Sequence, residues 1–237
     1  MTIKAILFDY MGTCLDWHSS VVSTLPPSMP PEQASQLALQ WRQQYFDLNQ
    51  ARVSRNLPVE PFDDTLAKAL DIVLSDQFKN LERHFDGNAK KRAIRAFHNE
   101  KAWPDVKPAI EALRERGGYE IFVHANGTTR LQLDITKSSG LAFDMLFSSE
   151  LLGSIIPAPE GFLKVLKLIG AEPQEVVKVA AHAYDLRGAK RVGMKTVYVR
   201  RWTDDIEEDM EALKGEFNVF LEDMRDLEDV IKKLEGA

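Results

Sequence analysis

The chain has a single cysteine, Cys14, so no internal disulfide is available and a reducing compartment, the cytoplasm, is the expected location. It has no apolar run long enough to span a bilayer, and its first residues read as a strand rather than a signal peptide, which argues against a membrane partner. It has no basic excess. Thirty Lys and Arg stand against 36 Asp and Glu, a net charge of -6, and the acidic residues are spread along the chain, which argues against a nucleic acid. It has no internal repeat, low-complexity tract or Gly/Ser linker. What is there is an ordinary globular composition, 44% hydrophobic and 28% charged, in 237 residues: enough for one full α/β domain and a smaller insertion.

Three apolar runs, at 3–8, 119–123 and 176–181, read as buried parallel strands, each ending in a polar turn that leads into helical periodicity. Residues 194–199 and 218–221 read as two more strands and 144–147 as a short one. Helical patterns at 106–116, 128–138, 160–169, 185–192 and 224–234 fall between them. That alternation predicts an α/β fold built on a doubly wound parallel sheet. Residues 15–100 break the rhythm, with helical patterns at 31–55, 61–75 and 88–99 and no convincing strand. The expected organisation is a core domain of 1–14 and 101–237, with an all-helical cap domain, 15–100, inserted after the first strand.

Polar residues gather where these strands end. Asp9, Gly12 and Thr13 follow the first, His124 and Asn126 close the second, and His182 and Asp185 follow the third, with Ile156 in an apolar, proline-rich turn between. In an open α/β sheet, ligands bind at the carboxyl ends of the strands. Asp9, Asn126, His182 and Asp185 are therefore expected to share a pocket for a small-molecule substrate. Each has a plainer reading. Asp9 can cap a turn, Asn126-Gly127 can be turn chemistry, His124 can be a core histidine, and Asp185 can cap the helix it begins. An acid ending a central strand in the company of others favours a functional site. Cys14 reads as a small buried hydrophobe rather than a reactive thiol. Met11, two residues after Asp9, can neither donate nor accept a useful proton.

Four motifs in this order and spacing resemble the haloacid dehalogenase (HAD) superfamily, most closely its type II 2-haloacid dehalogenases: Phe8-Asp9-Tyr10-Met11-Gly12-Thr13, Trp41-Arg42-Gln43-Gln44, Ala125-Asn126-Gly127-Thr128-Thr129-Arg130, and Val179-Ala180-Ala181-His182-Ala183-Tyr184-Asp185-Leu186-Arg187. The resemblance covers essentially the whole chain. It implies a Rossmann-like core with a helical cap, a hydrolase, and Asp9 as a nucleophile that forms an ester which water then hydrolyses. It also implies that Arg42 receives the departing halide, that Asn126 binds the substrate carboxylate or leaving group, and that Asp185, with His182, positions the water. Thr13, Met11 and His124 fall among the substrate contacts. Phosphatases of the superfamily carry a second aspartate where this chain has Met11. Asp9 and Asp185 alone make a poor site for a hard cation, so no metal and no other cofactor is expected. Dimers are common among such proteins, which leaves a homodimer open.

The chain also departs from that pattern. The family has a lysine in a Lys-Pro-Asp-Pro stretch, ion-paired with the nucleophile; here the stretch is Ile156-Pro157-Ala158-Pro159. A tyrosine a few residues on is Phe162, and the Ser or Thr before Asn126 is Ala125. A buried carboxylate without a cationic partner is pushed up in pKa, so Asp9 is expected to be partly protonated. Ile156, Phe162, Met11 and Ala125 are expected to line a pocket for a larger, more apolar molecule than a 2-haloacid. Three functions follow: a metal-independent dehalogenase-like hydrolase with Asp9 as nucleophile, an acid/base enzyme (dehydratase, isomerase or cyclase) using Asp9 and a histidine, or a non-catalytic binding protein on the same scaffold.

Overall fold

The computed structural model describes residues 2–55, 57, 58 and 60–236. The chain divides into two compact units, Met1–Asp16 with Ala102–Ala237, and Trp17–Lys101. Among the described residues no helix is long and apolar enough to cross a membrane.

The first unit is a six-stranded parallel sheet with helices between its strands. In chain order the strands are β1 (Ala5–Phe8), β2 (Glu120–Ala125), β3 (Met145–Ser148), β4 (Val176–Ala180), β5 (Lys195–Val199) and β6 (Val219–Leu221). Their order in the sheet is β3-β2-β1-β4-β5-β6. β1 therefore lies at the point where the strand order reverses, with β2 on one side and β4 on the other, and Asp9 follows directly from it. This switch point is where open α/β sheets form their binding crevice. The two central strands are sealed along their whole length, Ala-Ile-Leu-Phe in β1 and Val-Val-Lys-Val-Ala in β4. Such continuous apolar runs are what a parallel sheet covered on both faces requires. Lys178 interrupts the second one.

The helices of this unit lie close to where periodicity puts them. α5 (Val106–Arg116) buries Val106, Ala109, Ile110 and Leu113, and α6 (Thr129–Ser139) starts at Thr128, whose side chain accepts from the Leu131 amide at 3.1 Å. α8 (Pro159–Ile169), α9 (Ala183–Arg191) and α11 (Leu227–Glu235) complete the layers. Two short helices, α7 (Ser149–Leu152) and α10 (Met210–Glu216), span too few residues to show a period in sequence. α9 begins two residues earlier than its pattern suggests. His182 takes the N-cap position and Asp185 sits inside the first turn, not at the cap.

The second unit is helical: α1 (Trp17–Val22), α2 (Pro31–Ser54), α3 (Phe62–Asp76), a 3₁₀ turn at Lys79–His84 and α4 (Gly87–Ala96). Aromatic rings make its core. Trp17 stacks on Phe97, and Trp41 and Phe62 meet the same Phe97 edge-on. The Trp41 indole donates to the Leu66 carbonyl at 2.8 Å, tying α2 to α3.

Candidate active site

Asp9 leaves β1 already fixed, its amide donating to the Val179 carbonyl of β4 at 2.9 Å. Its side chain is held through one oxygen. Thr13 Oγ1 donates to Asp9 Oδ2 at 2.5 Å and in turn accepts from the Ala181 amide at 2.8 Å, while His182 Nδ1 lies 2.9 Å from the same Oδ2. Neither of these bonds falls on Oδ1. The other face of His182 is also occupied: Nε2 stands 3.0 Å from Asp204 Oδ1, and Thr203 Oγ1 donates to Asp204 Oδ2 at 2.6 Å. An imidazole between two carboxylates keeps its proton. Burial disfavours the charge on His182, but Asp9 and Asp204 together hold it well above the usual histidine range.

The same contacts decide the state of Asp9. Burial pushes its carboxyl up, but the charge and hydrogen bond of His182, the Lys178 ammonium and the Thr13 hydroxyl outweigh that and hold it at about 2. This corrects the expectation of a partly protonated Asp9. The cations it was expected to lack come from His182 and from Lys178 on β4. Lys178 is fully enclosed, lies 3.0 Å from Asp185 Oδ2 and donates to the His124 carbonyl at 2.5 Å. Asp185 behaves oppositely. Burial raises its pKa, Lys178 offsets only part of this, the negative charge of Asp9 adds to it, and Asp185 is pushed up to about 7.

The turn that carries Asp9 is clamped from outside. Trp103 Nε1 donates to the Gly12 carbonyl at 2.8 Å and Arg201 Nε to the Thr13 carbonyl at 3.1 Å. Arg201 is itself fixed by a two-pronged bond to Asp105, at 3.0 and 2.9 Å. Cys14, beneath the turn, is fully buried; burial and the nearby Asp9 charge raise its thiol pKa, so it is a packing residue.

A family model for haloacid dehalogenase-like hydrolases matches residues 3–193. The chain belongs to that family. Among its relatives, the (S)-2-haloacid dehalogenase 4A of Burkholderia cepacia is 27% identical over 222 residues, 92% of this chain and 91% of that protein. A glyceraldehyde 3-phosphate phosphatase of Methanopyrus kandleri is 28% identical over 252 residues and 98% of each chain. Among solved structures, an L-2-haloacid dehalogenase is 29% identical and superposes with a TM-score of 0.81, covering 98% of this chain and 99% of that one. The relatives thus include both dehalogenases and phosphatases.

In this haloacid dehalogenase-like hydrolase the structure brings Asp9, Thr13, His182 and Asp185 together and gives several of the expected residues other work. Thr13, expected to contact substrate, is fully enclosed and spends its hydroxyl on Asp9 and the Ala181 amide. Asn126 is bonded on both ends of its amide to the backbone of Ile156, at 3.1 and 2.9 Å, and so holds the 154–159 turn. Ile156 and Phe162 were expected to line a pocket. Both lie instead in the core cluster with Leu7, Phe122, Phe147 and Val165, because α8 turns its apolar face to the sheet. Phe162 packs so close to α9 that a Cβ on Gly188 would meet its ring at 2.8 Å. His124 is 1% exposed, edges onto the Phe162 ring, and has no hydrogen bond on either ring nitrogen. Burial and Lys178 drive its pKa well down, so it is neutral. Met11 is nearly enclosed.

Arg42, within the helical unit, is buried among the rings of Phe46, Tyr45 and Trp17, at 4.5, 5.2 and 5.7 Å, with its Nε and Nη1 making no hydrogen bond. Sequence reasoning missed Asp204, Lys178 and Arg201. Asp204 and Arg201 stand in a polar run directly after β5, on the same sheet edge as Asp9, so the strand-end rule that selected the others reaches them too. Lys178 carried a different signal, a charge inside an otherwise apolar central strand.

Proposed function

We propose that this hydrolase uses Asp9 as a nucleophile on an sp³ carbon bearing a leaving group, as in a 2-haloacid. The observation that carries this reading is the anchoring of an ionised Asp9 through Oδ2 alone, with Oδ1 outside those bonds. Oδ1 attacks the carbon, the carbon–halogen bond breaks, and halide departs with the bonding pair. Water then attacks the carboxyl carbon of the Asp9 ester, giving the alcohol and regenerating the carboxylate. Asp185, poised near neutral pH, suits the removal of the water proton.

Chemistry through a divalent metal, as in phosphatases of this family, fits these residues poorly. Met11 stands where phosphatases of the family carry the acid that protonates the leaving group, Asp185 is already paired with Lys178, and no three His, Cys, Asp or Glu side chains group as a metal site among the described residues. The reading is tested by a single turnover in ¹⁸O-water with a series of 2-halo acids of increasing chain length. Unlabelled oxygen in the first product molecule is expected, and solvent label there overturns the reading. The 2.9 Å contact of His182 with Asp9 favours a second reading, acid/base chemistry on a small metabolite. That reading predicts Asp9-dependent turnover of such a metabolite with no covalent adduct in the intact mass.

A further inference from the structure

Lys178 is the residue whose place the packing of the sheet does not explain. It is 0% exposed, in the middle of β4, paired in register with Leu7 of β1 and Thr196 of β5. Every neighbour in its strand is Val or Ala, and an aliphatic side chain would fill the position without the desolvation that a buried ammonium suffers. The side chain goes to two polar targets. One is Asp185 on α9, at 3.0 Å. The other is the His124 carbonyl on β2, at 2.5 Å. In the sheet β1 lies between β2 and β4, so a side chain that starts on β4 and bonds a β2 carbonyl crosses β1. That crossing carries the charge past the strand whose next residue is Asp9. The 154–159 turn has no basic side chain to do this, and Ile156 is packed in the core. Lys164 of α8 is taken by the Leu152 carbonyl at 2.8 Å.

We propose that Lys178 is a positioning residue of the reaction centre, crossing β1 to fix the Asp185 carboxylate and to stand as a cation between Asp185 and Asp9. The ionisable groups that act on Asp185 are Lys178 from β4, Asp9 from the end of β1 and His182 at the start of α9. Lys178 and His182 favour the charged form of Asp185, whereas Asp9 opposes it. The kinetic half of this proposal rests on the nucleophilic reading above; the electrostatic half does not.

The test compares wild type with Lys178→Met in two measurements. The first is a ¹³C NMR titration of aspartate-labelled protein without substrate, with Asp185→Asn identifying the Asp185 signal. Loss of Lys178 is expected to move that titration upward by at least one pH unit; an unmoved titration overturns the proposal, whatever the reaction proves to be. The second is turnover of 2-bromobutanoate. The acid limb of the pH–rate profile is expected to shift upward with kcat down at least tenfold, and the Asp9 ester to accumulate in the intact mass. A profile and kcat within twofold of wild type overturn it. Should Lys178→Met not fold, Lys178→Gln, which keeps a donor for the His124 carbonyl, takes its place in both measurements. Should neither single variant fold, the neutral pair Lys178→Met with Asp185→Asn is measured. Its folding where each single variant fails supports the proposal, since each buried charge is then tolerated only with the other, and a pair that also fails to fold, or that turns over within threefold of wild type, overturns it.

Discussion

Asp204 is packed directly against Gly12: a Cβ built on Gly12 would lie 2.5 Å from Asp204 Oδ1. Gly12 also has φ +84, a left-handed conformation that costs a residue with a Cβ about 1–2 kcal/mol. Gly12→Ala is expected to lose that much stability, and more from displacing the carboxylate that holds His182. Chemical denaturation measures the loss, and a variant as stable as wild type would show that the Asp204 contact is dispensable.

Asp204→Asn tests the far end of the same chain of contacts. Asp204 raises the pKa of His182, so its loss lets His182 give up its proton at lower pH. A histidine raised in the folded state contributes stability that is complete below its unfolded pKa and lost as pH rises through the folded one. The fall in Tm on the alkaline side is therefore expected to begin at the same pH in Asp204→Asn but to be smaller and to level off at lower pH, and the His182 signal in a ¹⁵N NMR titration to shift downward. Coincident curves for the two proteins would remove Asp204 from the site.

On the nucleophilic reading, Asp185 is expected to set the acid side of activity. Its pKa is raised to about 7, and a proton acceptor works only when ionised, so turnover is expected to climb as pH rises through neutrality. Asp185→Asn is expected to abolish the hydrolytic step while leaving the Asp9 ester visible by mass. A flat pH–rate profile between pH 5 and 8 would rule Asp185 out as the acceptor.

Ile156→Lys restores the side chain that the family resemblance calls for, yet the structure argues against any gain. Residue 156 lies in an apolar cluster, 4% exposed, and Lys178 already supplies a cation. A charge placed there is expected to cost about 3 kcal/mol or more unless the stem can carry it to water. Denaturation and turnover of a 2-halo acid measure the two effects. Higher activity with unchanged stability would mean that the 154–159 turn faces the site.

Arg42→Met tests what the buried guanidinium contributes to the helical unit. The guanidinium is buried with two nitrogens unbonded, so a methionine of similar length relieves unpaired polar groups while losing cation–π contacts of about 1–2 kcal/mol. Stability is expected to be nearly unchanged. A drop in Tm of more than a few degrees in a thermal melt would show that the cation–π contacts outweigh the relief of the unbonded nitrogens.

The sheet was legible because fully buried parallel strands have no alternation to misread: Ala5–Phe8 and Val176–Ala180 stand out as apolar runs bounded by polar turns. Asp9, His182 and Asp185 were legible because those runs end at them. What sequence hid was direction. Thr13 and Asn126 are polar residues at strand ends, as a substrate contact would be, and only in the folded protein do their hydrogen bonds close on Asp9 and on the Ile156 backbone. Ile156 and Phe162 are apolar whether they line a pocket or fill a core. The charge of Asp9 was misjudged because its partners come from β4 and from the start of α9, remote in sequence and without a fixed spacing to it.

The clamp on the Asp9 turn has a consequence for how the molecule is assembled. His182 reaches Asp9 across 173 residues and Arg201 reaches Thr13 across 188, while Arg201 meets Asp105 across 96. Loops of that size close late, because the chain entropy they surrender is returned only when the distant partner is already in place. The charges around Asp9 therefore come together only after β1, β4 and β5 have paired. A chain without its last third lacks His182 and Lys178, the two cations that hold the Asp9 carboxyl down in the folded protein. The charge state of Asp9 is a property of the finished sheet.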